Sequence, residues 1–320
     1  MKSAKLLTAL AAVVGVSALF AGCFSKPITI EILHVNDLHS NFDYGRTPDK
    51  GGYAAVKTAL ETMKNAAVAR GHQVLTLNGG DSFEGHPYYF LNKGAESMKM
   101  VSLLPFDATV VGNHDFLMGP ADFDRLIGQS PAGFTWLASN ISFDRSKYPN
   151  LARVLKRYVT FNKGGLRIAV IGLTTDSPFY RWALGDVVIR NPLIAAQELV
   201  AELRLQNDVI IALSHLGTSD DISLVEHTIG IDLVVGSHDH TPLYQPLIKK
   251  NPIGKHIPIL QSEPFGEGVG HLTITVKKDR SYSIDGYEIA KVDGNVTGRR
   301  DANLVALAKA AAGKLDAQFG

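Results

Sequence analysis

The chain of 320 residues has a single cysteine, Cys23, and almost no net charge. One cysteine excludes a framework of disulfide bonds within the chain, so a hydrophobic core has to stabilise the fold. The 32 lysines and arginines nearly cancel the 31 aspartates and glutamates, which leaves a formal net charge of +1. This balance gives no support to a nucleic-acid partner, because such partners favour clustered positive charge. A small phosphorylated ligand is not excluded, since the local charge of a site decides its binding.

Long apolar runs are confined to the N-terminus, where residues 6–21 follow Lys2 and Lys5. A positive start and a run of this length predict a signal peptide over residues 1–22 rather than a transmembrane helix. The run ends in Phe20-Ala21-Gly22-Cys23, which resembles the lipobox of bacterial lipoproteins, in which the cysteine is lipidated. We therefore expect an exported protein that is anchored to a membrane through Cys23 and faces the periplasm or cell surface. A plain secretory signal with an incidental cysteine is the alternative.

No internal repeat is visible in the rest of the chain, where predicted strands and amphipathic helices alternate. We expect a linker over residues 23–27, one domain over 28–290, and a tail over 291–320 that contains a helix over 301–317. Trp136–Ile141 is predicted as one strand, and two strands around Gly164-Gly165 are predicted as a hairpin. The pattern predicts an α/β fold: a four-layer α-β-β-α sandwich with two sheets face to face and helices outside.

Five of the predicted strands end in side chains that bind metal ions. These side chains are Asp37 with His39, Asp81, Asn113 with His114, His215, and His238 with His240. In open α/β sheets, ligands bind just beyond the carboxyl ends of the strands. The sequence therefore predicts a site for two metal ions at the carboxyl ends of the strands.

The spacing of these residues suggests how two ions would be held. Asp37 and His39 are two residues apart at a strand end, so their side chains leave on the same face and can hold one ion. His238 and His240 repeat this spacing on another strand. Asp81 stands alone, which suits a carboxylate that bridges two cations separated by about 3.5–4 Å. Asn113 adds a neutral oxygen ligand.

Two carboxylates facing two divalent ions would leave roughly two positive charges, so the site should attract an anion such as a phosphate ester. Carboxylate, amide and imidazole ligands together suit Mn²⁺, Zn²⁺, Fe²⁺ or Co²⁺ better than Mg²⁺ alone. The ligand types do not decide among these ions.

Taken in order, the five groups resemble the motifs of the calcineurin-like metallophosphoesterase superfamily. They are most similar to the metal-binding domain of its 5′-nucleotidase family, and the similarity runs from about Ile28 to about Val276. The matching segments are Asp37-Leu38-His39, Gly80-Asp81, Gly112-Asn113-His114-Asp115, Ser214-His215 and His238-Asp239-His240.

The resemblance implies a role for each of these side chains. The first metal would be held by Asp37, His39 and His240. The second would be held by Asn113, His215 and His238, and Asp81 would bridge the two ions. His114 would act as general acid or electrostatic stabiliser, and the nucleophile would be a water or hydroxide activated by the metals.

The chain departs from the family pattern at the position that orients the catalytic histidine. Nucleotidases usually have Asp three residues after that histidine, and this chain has Leu117. Another branch of the superfamily supplies the acid three residues after the bridging Asp, where this chain has Glu84. We therefore expect Glu84 to orient the ring of His114.

A second departure is length, because family nucleotidases have a C-terminal domain that binds the base, whereas this sequence ends at residue 320. We expect either a single-domain member of the family or a fragment of a longer protein. Candidate substrate contacts within the chain are Asn41, His86, Tyr88, Arg181 and Trp182. Their alternative role is that of ordinary loop residues. Of the remaining histidines, His34 is predicted to be a hydrogen-bonded core residue. The others, in turns, helix ends or strands without an acidic partner, are predicted to be solvated or structural; they are His72, His227, His256 and His271.

The favoured function is hydrolysis of phosphate monoesters, with 5′-nucleotides as substrates, by a water that two divalent metal ions activate. One alternative is an enzyme of the same superfamily that acts on phosphodiesters, cyclic nucleotides or a sulfur ester. Another is a non-catalytic lipoprotein that binds metal or phosphate. The intact ligand set, together with His114, favours an enzyme, because a degenerate site usually loses some of its ligands.

Overall fold

Two six-stranded sheets face each other in the computed structural model, which describes residues 26–45, 47, 49–129, 133–293 and 300–319. The predicted signal peptide (1–22) and Cys23 lie outside the described residues. Within them, no helix is both long and apolar enough to cross a membrane.

The first sheet has the strand order β14-β13-β1-β2-β3-β4. Strands β1 to β4 run parallel to one another, whereas β13 pairs antiparallel with both β1 and β14. The strands are β1 (Ile28–Val35), β2 (Gln73–Asn78), β3 (Ala108–Val110), β4 (Thr135–Leu137), β13 (Gly268–Val276) and β14 (Tyr282–Lys291).

The second sheet has the order β11-β12-β10-β9-β7-β6, with antiparallel strands at its two edges and four parallel strands between them. Its strands are β6 (Tyr158–Lys163), β7 (Leu166–Thr174), β9 (Val209–His215), β10 (Leu233–Val235), β11 (Leu247–Lys250) and β12 (His256–Leu260). The predicted hairpin is therefore the β6–β7 pair. Two short strands, β5 (Ile141–Ser142) and β8 (Val188–Ile189), pair separately.

Helices cover the outer face of each sheet. The outer face of the first sheet packs against α1 (Tyr53–Ala69), α2 (Ala95–Val101), α3 (Pro120–Gln129), α4 (Pro149–Val154) and α7 (Ala302–Phe319). The outer face of the second sheet packs against α5 (Pro192–Leu203) and α6 (Thr218–His227).

Three layers of apolar side chains hold these four layers together. In β7, Ile168 and Val170 point into the core between the sheets, whereas Ala169 and Ile171 point toward the helices. A strand that is buried on both faces has to be apolar at nearly every position, which explains why strands such as β7 and β9 are almost continuously apolar. The structure confirms the predicted four-layer α-β-β-α sandwich.

The prediction of one strand over Trp136–Ile141 is wrong, because the chain leaves the first sheet after Leu137. The amide N–H of Ser139 donates to the carbonyl of Gly172 in β7 (2.7 Å). The side chain of Asn140 donates to the carbonyl of Thr174 (2.7 Å) and accepts from its N–H (2.9 Å). These polar contacts fasten the segment to the second sheet, so β4 and β5 are separate strands.

Candidate metal centre

All seven predicted metal ligands lie at the edge where the parallel strands of both sheets end. His215 is the last residue of β9, and the other six lie in the loops that follow β1, β2, β3 and β10. Five of the seven side chains are buried, and two are partly exposed. The buried ones are Asp37, His39, Asp81, Asn113 and His215, and the partly exposed ones are His238 and His240.

Asp37, His39 and His240 form the first group of possible ligands, with one ligand atom from each within 4.8 Å of the others. The Nε2 atoms of His39 and His240 are 3.1 Å apart, and His240 Nε2 lies 3.5 Å from Asp37 Oδ1. Residues from both ends of the domain sequence therefore meet around one point.

Asp81, His215 and His238 form the second group, again with ligand atoms within 4.8 Å of one another. His215 Nε2 lies 3.1 Å from Asp81 Oδ2 and 3.1 Å from Asn113 Oδ1. The structure thus brings the predicted amide ligand to the second group.

Asp81 lies between the two groups. Its Oδ2 atom is 3.1 Å from His215 Nε2 and 3.8 Å from His39 Nε2, which belong to different groups. This position suits a carboxylate that contacts two cations at once.

The hydrogen bonds of the imidazole rings fit metal binding. His215 Nδ1 lies 2.7 Å from the carbonyl oxygen of Gly79, and His39 Nδ1 contacts the carbonyl oxygen of Glu84. A carbonyl oxygen can only accept, so each Nδ1 carries the proton and, in a neutral ring, each Nε2 presents a lone pair to the centre. Lone pairs that face carboxylate and amide oxygens and other imidazoles are the donor set of a divalent transition-metal site.

The backbone of the ligand loops is strained. Five of the seven ligands have a left-handed φ angle, which is uncommon for residues other than glycine: Asp37, His39, Asp81, His238 and His240 (φ 46° to 91°). Such conformations cost about 1–3 kcal/mol each and persist only where neighbouring structure fixes them. Here the N–H of Asp37 donates to Gly80 O (3.1 Å) and that of His39 to Asp81 O (2.9 Å), so the first two ligand loops hold each other.

Two glycines leave the room that the ligands need. A Cβ atom on Gly112 would lie 2.1 Å from Asp81 Oδ1, and one on Gly85 would lie 2.5 Å from His39 Nδ1. Gly85 also has a φ of 133°, which side chains rarely allow. Substitution at either position would displace a ligand.

Burial and charge set the protonation of the ligands in opposite directions. Burial lowers the pKa of His238 to about 4 and also lowers that of His39, so both rings are neutral near pH 7. Burial raises the pKa of Asp81, but the charge of His215 outweighs it and holds the carboxyl well below its usual range. Burial lowers the pKa of His215, but Asp81 reverses this and raises it to about 10. Metal binding at His215 therefore has to release a proton.

His114 lies beside the two groups without belonging to either, and its Nε2 is 4.0 Å from Asp81 Oδ2. Its Nδ1 lies 2.5 Å from Glu84 Oε2. Burial lowers the pKa of His114, but the hydrogen bond to Glu84 and the charge of Asp81 outweigh burial and raise it. Glu84 is therefore an acid within hydrogen-bond distance of the His114 ring.

The candidate substrate contacts have different surroundings. Asn41 is buried, and its amide donates to the carbonyls of Leu38 (2.8 Å) and His39 (3.2 Å), so it stiffens a ligand loop. The ring of His86 stacks on Tyr88, with centroids 4.7 Å apart. Arg181 is exposed and lines a pocket of about 240 Å³ together with Asp176 and Leu184.

Two residues that position the ligands were missed in the sequence. Asn36 donates to Asp37 Oδ2 (2.8 Å), and the Ser237 hydroxyl lies 2.9 Å from His215 Nδ1. Their adjacency to ligand residues is the only signal that could have found them. Asp239 stands between two predicted ligands, which favours a role in shaping their loop. It accepts from the N–H of Thr218 at the start of α6 (2.8 Å) and from Gln261 (2.6 Å), and these hydrogen bonds fix that loop.

The sequence is similar to a known protein family and to proteins of known activity. A family model described as calcineurin-like phosphoesterase matches residues 30–242. A 5′-nucleotidase from Vibrio parahaemolyticus is 32% identical over 277 residues, which cover 76% of this chain and 47% of that protein. The chain thus spans about half the length of the curated relatives it matches.

Two solved structures from Thermus thermophilus have a similar fold. A 5′-nucleotidase precursor is 26% identical and superposes with a TM-score of 0.78. The superposition covers 91% of this chain and 59% of the precursor. A sulfate thiohydrolase is 19% identical and superposes with a TM-score of 0.72, over 88% of this chain and 60% of the thiohydrolase. At 19% identity the second similarity concerns the fold alone.

Proposed function

The chain belongs to the calcineurin-like phosphoesterase family, and from this we propose that it hydrolyses phosphate monoesters at a centre of two divalent metal ions. The position of Asp81 carries the proposal. A buried carboxylate with Oδ2 facing one histidine from each ligand group is the arrangement that two adjacent cations require.

We assign the following roles to the residues around the centre. Two divalent ions, when bound, supply positive charge for the phosphate and make a water molecule acidic enough to act as nucleophile. Asp37, His39 and His240 would hold one ion, and Asn113, His215 and His238 the other. Asp81 would contact both.

His114 would donate a proton to the oxygen of the leaving alcohol, or a hydrogen bond to the charge that develops on the phosphoryl group. Glu84 would act through His114 by holding the proton on Nδ1, so that Nε2 points toward the substrate. His39 Nδ1 contacts the backbone carbonyl of the same Glu84. One turn of the chain would therefore orient both a metal ligand and the acid.

For the substrate we propose 5′-nucleotides, because the relatives at about 30% identity are 5′-nucleotidases. The bare ligand set supports an anionic substrate, since two carboxylates do not neutralise two divalent ions. Mn²⁺, Zn²⁺, Fe²⁺, Co²⁺ and Mg²⁺ are the candidate ions. A similar fold in a sulfate thiohydrolase means that the fold by itself does not choose the ester.

We also propose that the protein is exported, through a signal peptide over residues 1–22, and anchored by lipid on Cys23. The nucleotidase precursor from Thermus thermophilus is a relative named as a precursor, which supports export. Labelling of the wild type but not of Cys23→Ser by a radioactive or clickable fatty acid would test the anchor. Equal labelling of both would contradict it.

The function is tested with purified protein, first on a generic aryl phosphate with added Mn²⁺ and then on a substrate panel. The panel compares 5′-nucleotides, 2′,3′-cyclic nucleotides, a diester and a thiosulfate ester. We expect turnover of the aryl phosphate and preference for 5′-nucleotides. Preference for another member of the panel would replace the substrate assignment, and no turnover with any divalent ion despite bound metal would favour the non-catalytic alternative.

A further inference from the structure

A short turn beside the metal centre carries three aromatic residues in four positions. It is the 3₁₀ turn Pro178–Ala183, with the sequence PFYRWA, in the loop between β7 and β8. Pro178 begins the turn, and its fixed φ suits a first helical position. Ala183 and Leu184 are buried at its far end, so the turn is anchored to the domain.

Tyr180 joins this turn to the proposed reaction centre. Its ring centroid lies 5.9 Å from that of His114 and 6.2 Å from that of His238. One of these rings is the proposed acid, and the other is a proposed metal ligand. If His114 is the acid, the leaving group of a bound phosphate ester would lie beside its ring and therefore close to Tyr180.

The other two aromatic side chains face solvent. Phe179 and Trp182 are 73% and 71% exposed, the highest fractions of any large apolar side chain among the described residues. A single exposed apolar residue needs no explanation, but two of them lie within four positions of a turn whose Tyr180 packs beside His114 and His238. They offer aromatic faces to a ligand bound there.

We propose that Phe179 and Trp182 stack on the base of a nucleoside monophosphate and make the enzyme selective for substrates with an aromatic leaving group. The inference depends on the proposed phosphoesterase function. Every nucleobase has a flat π-face, and stacking on an aromatic side chain is tolerant of the base, so the turn would select nucleotides as a class. Selectivity for nucleotides over phosphate esters without a base would then reside in this turn.

Kinetics on two substrates that differ only in the base test the inference. Adenosine 5′-monophosphate and ribose 5-phosphate share the phosphate and the 5′ oxygen that leaves. We expect Trp182→Ala and Phe179→Ala each to lower kcat/KM for the nucleotide about 10-fold and to leave ribose 5-phosphate within about twofold. Trp182→Phe should restore most of the loss, because it keeps an aromatic face.

Ile253→Ala is the matched control. Ile253 is 68% exposed but lies in the turn before β12, at the amino ends of the parallel strands and thus opposite the metal ligands. This substitution should leave kcat/KM unchanged for both substrates. An equal loss on both substrates, or unchanged selectivity in the double variant Phe179→Ala/Trp182→Ala, would overturn the inference. A shift of that variant to a smaller species in gel filtration, with selectivity unchanged, would identify the turn as a contact between copies instead.

Fluorescence separates this inference from the proposed function. The chain has two tryptophans, and Trp136 is fully buried whereas Trp182 is exposed. Adenosine, which has no phosphate, should quench Trp182 in the wild type and leave the emission of Trp182→Ala unchanged. Quenching without hydrolysis of any ester would retain the stacking surface and reject the catalytic function. Hydrolysis without quenching, and without preference for the nucleotide over ribose 5-phosphate, would retain the catalytic function and reject the stacking surface.

Discussion

The carboxylate of Glu84 lies 2.5 Å from Nδ1 of His114, and the backbone carbonyl of the same residue contacts Nδ1 of His39. The side chain and the backbone of Glu84 thus serve different histidines. A substitution that changes only the side chain can therefore separate the orientation of His114 from the binding of metal.

Glu84→Gln should lower kcat by about 10–100-fold, the usual effect of losing a partner that orients a functional histidine. Since Glu84 raises the pKa of His114, its loss should also move the alkaline limb of the pH–rate profile to lower pH. Metal content, measured by atomic emission, should not change. Glu61→Gln, at a half-exposed position of α1, is the control. An unchanged kcat and alkaline limb would show that Glu84 does not orient His114.

His114→Asn should lower kcat by about 10²–10⁴-fold, the contribution typical of a general acid. Both ligand groups are complete without His114, so the variant should bind as much metal as the wild type. Parallel assays of activity and metal content check this. A large loss of metal would mean that His114 is a ligand and not an acid.

Asp81→Asn should lose metal, in contrast to His114→Asn. The amide keeps the shape of the side chain but removes the charge that lies between His39 and His215. Two cations about 4 Å apart repel strongly without an anion between them, so occupancy should fall from two ions to one or none. Isothermal titration with Mn²⁺ would count the sites. Two full sites in the variant would contradict a bridging role.

A buried carboxylate far from the metal centre predicts how stability depends on pH. Glu31 in β1 is 1% exposed and accepts hydrogen bonds from Arg70 (2.8 Å), His72 (2.6 Å) and His271 (2.7 Å). Burial raises the pKa of Glu31, but these three partners outweigh burial and lower it below 4.5. The carboxylate therefore stabilises the fold fully above about pH 4.5, and the contribution is lost as the pH falls through the lower folded value.

Glu31→Gln should reduce the free energy of unfolding at pH 7 by about 2 kcal/mol, the scale of a hydrogen bond to a charged group. It should also flatten the loss of stability on acidification. Urea unfolding at pH 7 and pH 4, with a chelator present throughout to remove metal linkage, measures both effects. The half-exposed control Glu61→Gln should change the free energy of unfolding by less than about 0.5 kcal/mol. Equal stability of Glu31→Gln and wild type at pH 7 would contradict this role.

The positions of the metal ligands could be predicted because they depend on two regular features. Apolar runs locate the strands, and parallel strands bring their carboxyl ends to one edge, so residues such as Asp37 and His215 had to meet. The strained φ angles of the ligand loops were not predictable, because they result from hydrogen bonds between loops that are distant in sequence.

The remaining histidines show why local patterns are insufficient. The prediction that His72 and His271 lack acidic partners is wrong, because both contact the carboxylate of Glu31. Glu31 is 41 and 240 residues away from them in sequence, so no local pattern could reveal the contacts. His34 was predicted to be hydrogen-bonded in the core. It is buried, but neither ring nitrogen has a partner among the described residues, and its ring stacks with Tyr287 at 6.3 Å. Burial lowers the pKa of His34 to about 3, so the ring is neutral.

The most direct test of a two-metal phosphoesterase is to measure turnover against metal content in one preparation. The protein is stripped with a chelator, Mn²⁺ is added back in steps, and bound metal and hydrolysis of adenosine 5′-monophosphate are measured at each step. We predict no turnover in the stripped protein and a rise that saturates at two ions per chain. Turnover that persists without metal, or that is absent when two ions are bound, would contradict the account.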